Sequence, residues 1–348
     1  MKMLTELEAK IAQYSVEANE AIDQVFLNLT QEYLGLLGQM YGSLSKGGQL
    51  TWSQLSKYGR LRKFMKQFES KTTGAYKSIL KEIRNSNRNV FLEQRIYDIY
   101  DTKIQSAIEM GFDIPSENVL NKLLNNPIDK MKLPNVLAQH RSEIVREIQK
   151  TITQGAIKGD SYEKTAQEIS KKVGISATKA RRVVRTENGR ARTMATLESD
   201  KQLRKAGISV NKYWLATLDS RVRASHAALD GHKADEDGYF HSGGHKAKGP
   251  RMFGVPSEDI NCRCHVLRGL PKFRTSRNYN DPKYQKKLAK RITELIKHED
   301  LSKGEAEKRA KREVVAPNKK IEYVTYNEWR KDFIKDNKEL YKENIKKI

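Results

Sequence analysis

Apolar residues recur every three or four positions from the start of the chain. Leu4, Leu7, Ile11, Tyr14, Ala18, Ile22, Val25, Leu29 and Tyr33 form one stripe, and Glu6, Glu8, Lys10, Gln13, Glu17, Asn19 and Glu20 fill the other faces. This period predicts a long amphipathic helix, loosened by Gly35, Gly38, Gly42 and the Gly47-Gly48 pair. Two further helical stretches are expected over about 52–83 and 88–110, the second stopped by Gly111 and Pro115. Helical patterning continues over 116–130 and 137–157, broken at Pro127 and Pro134. Gly159-Asp160-Ser161 reads as a turn that opens a helix through Tyr162, Ala166, Ile169 and Val173, closed at Gly174. Ser176 then caps a last helix, 177–205, ended by Gly207. Stripes this long serve either a coiled-coil seam or ordinary core packing, and packing in a helical assembly is the commoner use.

From 207 to 270 the texture becomes α+β. Residues 212–218, with Tyr213 and Trp214, have the aromatic and β-branched character of a short strand. Asp219-Ser220 can cap a helix over 221–229 that stops at Gly231. On that helix Asp219, Arg223, His226 and Asp230 would share one face. A polar loop, 232–255, follows, with Gly238, Gly243, Gly244, Gly249, Gly254, His241 and His245. After Pro256, residues 261–267 read as a strand with Cys262, Cys264 and Val266 on one side, placed to pair with 213–218. Beyond Pro271 come a charged helix near 281–297, a Lys/Arg/Glu stretch through Val315 and a final helix from about Asn327. Tyr323, Tyr326, Trp329, Phe333 and Tyr341 give this tail aromatics with which to dock. The expected fold is mainly α, with long N-terminal helices, a small α+β domain and a basic helical C-terminal tail. The expected divisions are 1–174, 175–206, 207–270 and 271–348.

With 348 residues the chain has room for two or three domains. Charge changes the picture most: the net is +23, and it is clustered. Residues 171–206 hold 11 basic and 3 acidic side chains, and residues 271–348 hold 23 and 13, so these two stretches carry 18 of the 23 charges. Clustering of this kind favours a polyanion partner, nucleic acid before anionic lipid. Its plain counterpart is a solvated basic surface. Arg181, Arg182, Lys286, Lys287, Arg309 and Arg312 are the candidate phosphate contacts. No run of about 18 apolar residues is present, so no membrane helix is expected. The opening residues turn amphipathic at once, unlike a secretory signal. Two cysteines cannot build a disulfide framework, and a reducing compartment is the default expectation.

Five of the seven histidines and both cysteines lie between 219 and 265. Zinc takes such ligands, but Cys-x-Cys is tighter than the usual Cys-x2–4-Cys, and no second ligand pair has finger spacing. Cys262 and Cys264 read instead as small buried residues on a strand, so no metal and no cofactor is expected. Were zinc to bind, His226, Cys262 and Cys264 would be its candidates. His226 and Asp230 could form a base–orienter pair or hold Mg²⁺ in a nuclease-like site. Asp219–Arg223 and His226–Asp230 are equally good i,i+4 ion pairs. No P-loop, nucleophile elbow, GxGxxG or HExxH motif is present, and no catalytic residue is assigned.

The order of these residues is distinctive. A basic helix with Arg185-Thr186-Glu187 leads to Trp214, then to Asp219, Arg221, Arg223, His226, Asp230 and Gly231. A glycine-rich loop with Pro250 and Phe253 follows, then Pro256 and Asn261-Cys262-Arg263-Cys264. Over about 185–267 this resembles the phage head morphogenesis domain, the Mu F-like minor capsid proteins of tailed bacteriophages. The resemblance implies a non-enzymatic virion component, made in the host cytoplasm and built into the procapsid with the portal. Its implied partners are the portal, the major capsid or scaffold protein, and DNA; the clustered charge, without a recognisable base-reading motif, adds that double-stranded DNA would be bound without sequence preference. It implies structural importance for the quoted residues and no catalytic role. The competing reading is a metal-dependent nuclease or effector built on the His/Asp/Cys cluster at 219–265. A host-encoded nucleic-acid-binding protein is a third.

Overall fold

The computed structural model describes residues 2–45, 47–106, 132–271, 278–299, 301–317 and 324–338, with side chains from residue 6. The body is made of four long helices: α1 (Lys2–Leu44), α3 (Arg60–Ser106), α4 (Leu133–Lys158) and α5 (Tyr162–Lys205). A short α2 (Trp52–Ser56) precedes α3, started by a capping box in which Thr51 and Gln54 satisfy each other's backbone groups. The α1 stripe is consumed by this body. Leu7, Tyr14, Ala18, Ile22, Phe26, Leu29 and Tyr33 are all buried. From Ala18 onward they share one core with Phe68, Tyr76 and Ile79 of α3, Ile144, Ile148 and Ile152 of α4, and Ile169, Val173 and Val184 of α5.

Two expected breaks do not exist. Residues 60–83 of the first stretch and 88–106 of the second merge into the single helix α3, with 52–56 set apart as α2 and 107–110 outside the described residues. The polar interval that hinted at a gap is instead a buried tie between helices. Ser86 donates to the Tyr14 carbonyl (3.1 Å), and the Asn188 amide of α5 donates to Ser86 Oγ and Ser15 Oγ (both 2.9 Å). Likewise α5 runs unbroken through Gly174 and Ser176, because Val173, Ala177, Ala180 and Val184 continue one buried stripe at spacings of four, three and four. The turn at 159–161 is as expected: Gly159 takes φ +66, and the Ser161 side chain accepts from the Lys164 N–H. The expected helix over 116–130 lies outside the described residues.

The α+β unit is built on the ends of α3 and α5. Strand β1 (Asn211–Leu215) pairs antiparallel with β4 (His265–Gly269), with Trp214 opposite Val266. The other edge of β1 is also bonded, through Trp214 N–H to His232 O and Ala234 N–H to Lys212 O (both 2.9 Å). Between the two strands lie α6 (Ala224–Ala227), a hairpin of β2 (Phe240–Ser242) and β3 (His245–Ala247), and α7 (Pro256–Asp259). The hairpin occupies what reads in sequence as an unstructured loop. Its signal is the Gly243-Gly244 pair, both at positive φ (54° and 78°), as a two-residue hairpin turn requires. The unit's core joins Trp214, Phe240, Phe253, Cys262 and Cys264 to Phe91 of α3 and Ala191, Met194 and Ala195 of α5. Buried Arg268 fastens β4 to both helices, facing Asp98 (3.5 Å), Asp101 (2.9 Å) and Asp200 (3.8 Å).

Near the C-terminus α8 (Pro282–Glu299) and α9 (Lys303–Glu313) form a helical hairpin with a small core of Tyr284, Leu288, Leu295, Ala306 and Ala310. Helix α10 (Tyr326–Asp336) packs back on α3 and α1. Tyr326 is buried against Tyr97 and Tyr100, and Trp329 packs on Tyr100. Buried Glu93 holds it there, accepting from Arg330 Nε (2.6 Å), Arg330 Nη2 (2.7 Å) and the Tyr326 hydroxyl (2.6 Å). The docking surface for Tyr326, Trp329 and Phe333 is therefore this chain's own α3, while Tyr323 and Tyr341 lie outside the described residues. No helix among the described residues is long and apolar enough to cross a membrane.

Candidate functional site

The four residues expected on one helical face point to four different places. Asp219 accepts from the Arg221 N–H (3.0 Å), which turns the chain before a helix can begin. Arg223 is in extended conformation, so α6 starts only at Ala224. Released from a common helix, Asp219 forms a two-pronged ion pair with Arg263, through Nη1 and through Nη2 at 2.6 Å. This pair holds the Asp219 carboxyl well below its usual range. Arg223 donates to the Ile260 carbonyl (2.6 Å), and Asp230 accepts from the Ala216 N–H (2.8 Å). The i,i+4 pairs Asp219–Arg223 and His226–Asp230 are not formed, and the carboxylate that orients His226 is Glu258.

His226 sits at the centre of the unit, 1% exposed. Its ring meets Trp214 edge-on (5.2 Å) and stacks on Phe253 (5.9 Å). Nε2 donates to Glu258 Oε2 (2.8 Å), which also accepts from Ser242 (3.1 Å) and Ser225 (3.4 Å). Nδ1 faces both sulfurs, Cys262 Sγ at 3.5 Å and Cys264 Sγ at 3.6 Å. The shared face of the two cysteines is as the sequence predicts. The ladder begins only at His265, because Asn261 at φ +59 turns the chain into the extended run. Burial works against a charge on His226, but Cys262 and Glu258 beside it prevail and raise its pKa. The Cys262 thiol is pulled well down, by its contact with Cys264 foremost and by His226 and Arg251 against the effect of burial. The same contact, with burial, pushes Cys264 up.

Residues that sequence reasoning overlooked complete the site. Arg251, fully inside and at φ +64, donates from Nε to the Cys262 carbonyl (2.8 Å) and from Nη1 to the Gly189 carbonyl (3.0 Å). A Cβ at Gly189 would fall 2.1 Å from the guanidinium carbon, so only glycine lets Arg251 pass α5. A glycine in mid-helix was the available signal. Arg192 donates to Gln94 (2.7 Å), meets Glu8 (2.6 Å) and lies 2.7 Å from His265 Nδ1. Of the other motif residues, Arg185 reaches Asn261 Oδ1 (3.5 Å), Glu187 pairs with Arg190 (2.5 Å) and Pro256 opens α7. Gly231 takes φ +74 and donates to the Trp214 carbonyl (2.8 Å).

The basic candidates lie on other elements. Arg181 is paired with Asp23 of α1, and Lys172 and Lys179 with Glu147 (2.9 Å) and Glu143 (2.6 Å) of α4. Much of the charge on α5 thus joins helices within the chain. Arg182 is exposed beside His140 and Lys179. On the C-terminal hairpin Arg309 is held by Glu299 (2.5 Å) and Glu313 (2.9 Å), whereas Lys286, Lys287 and Arg312 are exposed.

The family described as Phage Mu protein F like protein matches residues 146–267. The chain is also 30% identical over 310 residues to the minor head protein GP7 of Bacillus phage SPP1, covering 88% of this chain and 97% of that protein. It belongs to this family of phage head morphogenesis proteins: it is a minor capsid protein of the virion that associates with other capsid components. An NAD(+)–arginine ADP-ribosyltransferase of Enterococcus faecalis is 36% identical over 176 residues, half of this chain but 36% of that protein. An uncharacterized Haemophilus influenzae protein is 27% identical over 125 residues, 36% of this chain and 25% of its own length. No solved structure matches.

Proposed function

We propose that the chain enters the procapsid with the portal, lies inside the head and binds double-stranded DNA without sequence preference, as a structural component and not a catalyst. The observation that carries this reading is the likeness along nearly the whole length of a minor head protein. The basic α8–α9 hairpin supports the DNA part, because Lys286, Lys287 and Arg312 are exposed, whereas Lys179 and Arg181 of α5 are engaged by Glu143 and Asp23. The ADP-ribosyltransferase name describes a protein of which nearly two-thirds lies outside the matched segment.

The apolar stripe of α1 is buried in this chain's own core, so docking falls to outward positions. Val16 (53% exposed) and Leu27 (52%) are eleven residues apart on α1, within about 20° of each other around the axis. Co-expression with the portal protein of the same phage tests the reading. V16E/L27E should keep its melting temperature and lose co-purification. Undiminished co-purification would place the docking surface elsewhere. Deletion of residues 1–110 is unsuitable, since it removes α1 and α3 from the core.

A further inference from the structure

Three soft or borderline metal ligands meet in the interior of the α+β unit. Cys262 and Cys264 are each 2% exposed beside the still more deeply buried His226. Their ligating atoms all lie within 4.8 Å of one another. The two N···S distances, 3.5 and 3.6 Å, carry the argument further. A tetrahedral zinc ion with Zn–S of about 2.3 Å and Zn–N of about 2.0–2.1 Å holds its nitrogen and sulfur ligands roughly 3.5–3.6 Å apart. A thiol hydrogen bond needs one such contact, whereas here one nitrogen faces two sulfurs at nearly the same distance.

The remaining nitrogen points the same way. A carboxylate accepts only, so Nε2 carries the hydrogen given to Glu258, and Nδ1 is the nitrogen turned to the sulfurs, where a cation can take its lone pair in place of a proton. A carboxylate behind a ligating imidazole is the usual means of fixing its tautomer and orientation. Glu258 is itself held by Ser242 and Ser225. Sequence spacing named these three as candidates but argued against a site, because the histidine lies 36 and 38 residues upstream of the two cysteines.

We propose that His226 Nδ1, Cys262 Sγ and Cys264 Sγ form a structural site for one thiolate-seeking divalent cation of the zinc class. Glu258 orients the imidazole from behind, and the fourth position falls to a non-protein ligand such as water. Binding releases the protons still held by the thiols and by Nδ1 to solvent and joins α6 to the segment entering β4. The proposal is independent of the portal and DNA readings.

The test uses the full-length chain, purified without chelator from zinc-supplemented cells. Elemental analysis should find one zinc per chain. Replacement by Co²⁺ should give tetrahedral visible bands and a thiolate-to-cobalt charge-transfer band. Glu258→Gln keeps all three ligands and should weaken zinc affinity roughly 10–100-fold in competition with a chromophoric chelator. Cys264→Ser should lose intensity in the charge-transfer band. Should that variant fail to fold, the cobalt spectrum of the parent chain still decides. A folded parent chain that takes up neither zinc nor cobalt at equimolar addition overturns the proposal. So does a Cys262–Cys264 disulfide in freshly purified chain, or a bound cation without a thiolate band.

Discussion

Asp200 shows how a single buried side chain sets a pH dependence. It lies on α5 facing Arg268 at 3.8 Å, too far for a hydrogen bond, and neither carboxylate oxygen has a hydrogen-bond partner. Burial is the main force pushing its pKa up to about 7; the Arg268 charge pulls back, and Asp98 adds repulsion. Between the ordinary carboxyl value near 4 and about 7, the folded chain therefore binds more protons than the unfolded one. Stability falls as pH rises through that window and is flat above it. Asp200→Asn removes this slope and leaves Asp98 and Asp101 to Arg268. The melting temperature of the variant should gain on that of the parent from pH 4.5 to pH 7.5, by up to about 1.4 kcal/mol of stability per pH unit. A gap that stays constant with pH would refute the assignment. At this scale the sequence made the cysteine pair readable, because a period of two puts Cys262 and Cys264 on one face. It hid Glu258, Arg251 and Asp200, whose partners lie between 11 and 68 residues away along the chain.

Helix α10 is the element whose attachment depends most on a few groups. It is 11 residues long, too short to persist alone in water, and its place is set by the Glu93 clamp and the tyrosine cluster. Glu93 is 1% exposed, and two of its hydrogen bonds come from Arg330. Arg330→Ala takes both away and leaves a buried carboxylate short of its counter-charge, a change that costs about 3–5 kcal/mol at buried pairs. Such a loss is enough to release α10. Amide exchange over 326–336 should rise by at least tenfold, while α1 and α3 stay protected. Unchanged exchange would mean that Trp329 and Tyr326 hold the helix without the clamp. The long helices themselves were readable from periodicity, since each needs only its own stripe to be seen. Their joins were not. Ser86 and Asn87 resemble a break until Tyr14, Ser15 and Asn188 are brought beside them, and Gly174 resembles a stop until the stripe is followed across it. The helix expected over 221–229 failed for a local reason, the Asp219 turn and an extended Arg223.

For the whole molecule, the net charge of +23 has two physical uses, and the fold separates them. On α5, Lys172, Lys179 and Arg181 face carboxylates of α4 and α1, so they join helices and add little to the outward field, while Arg182 and Arg185 are exposed. On the α8–α9 hairpin Arg291 and Arg309 are paired with Glu313, but Lys286, Lys287 and Arg312 face solvent. Sequence counts weighed both stretches alike, because charge is additive along a chain while neutralisation depends on what packs opposite. This distinction sets the last prediction. Each phosphate neutralised releases counterions, and the logarithm of affinity then falls by about 0.9 per tenfold rise in salt. A K286Q/K287Q/R312Q variant should reduce the slope measured on random-sequence duplex DNA by up to about 2.7. Arg181→Gln should change it by well under 0.9, since its charge is already engaged by Asp23. Both variants should bind unrelated duplexes with equal affinity, because no base-reading contact is lost. If R181Q lowers the slope as much per charge as the triple variant, the cations of α5 contact DNA after all. In that case the α1–α5 ion pair must open on binding.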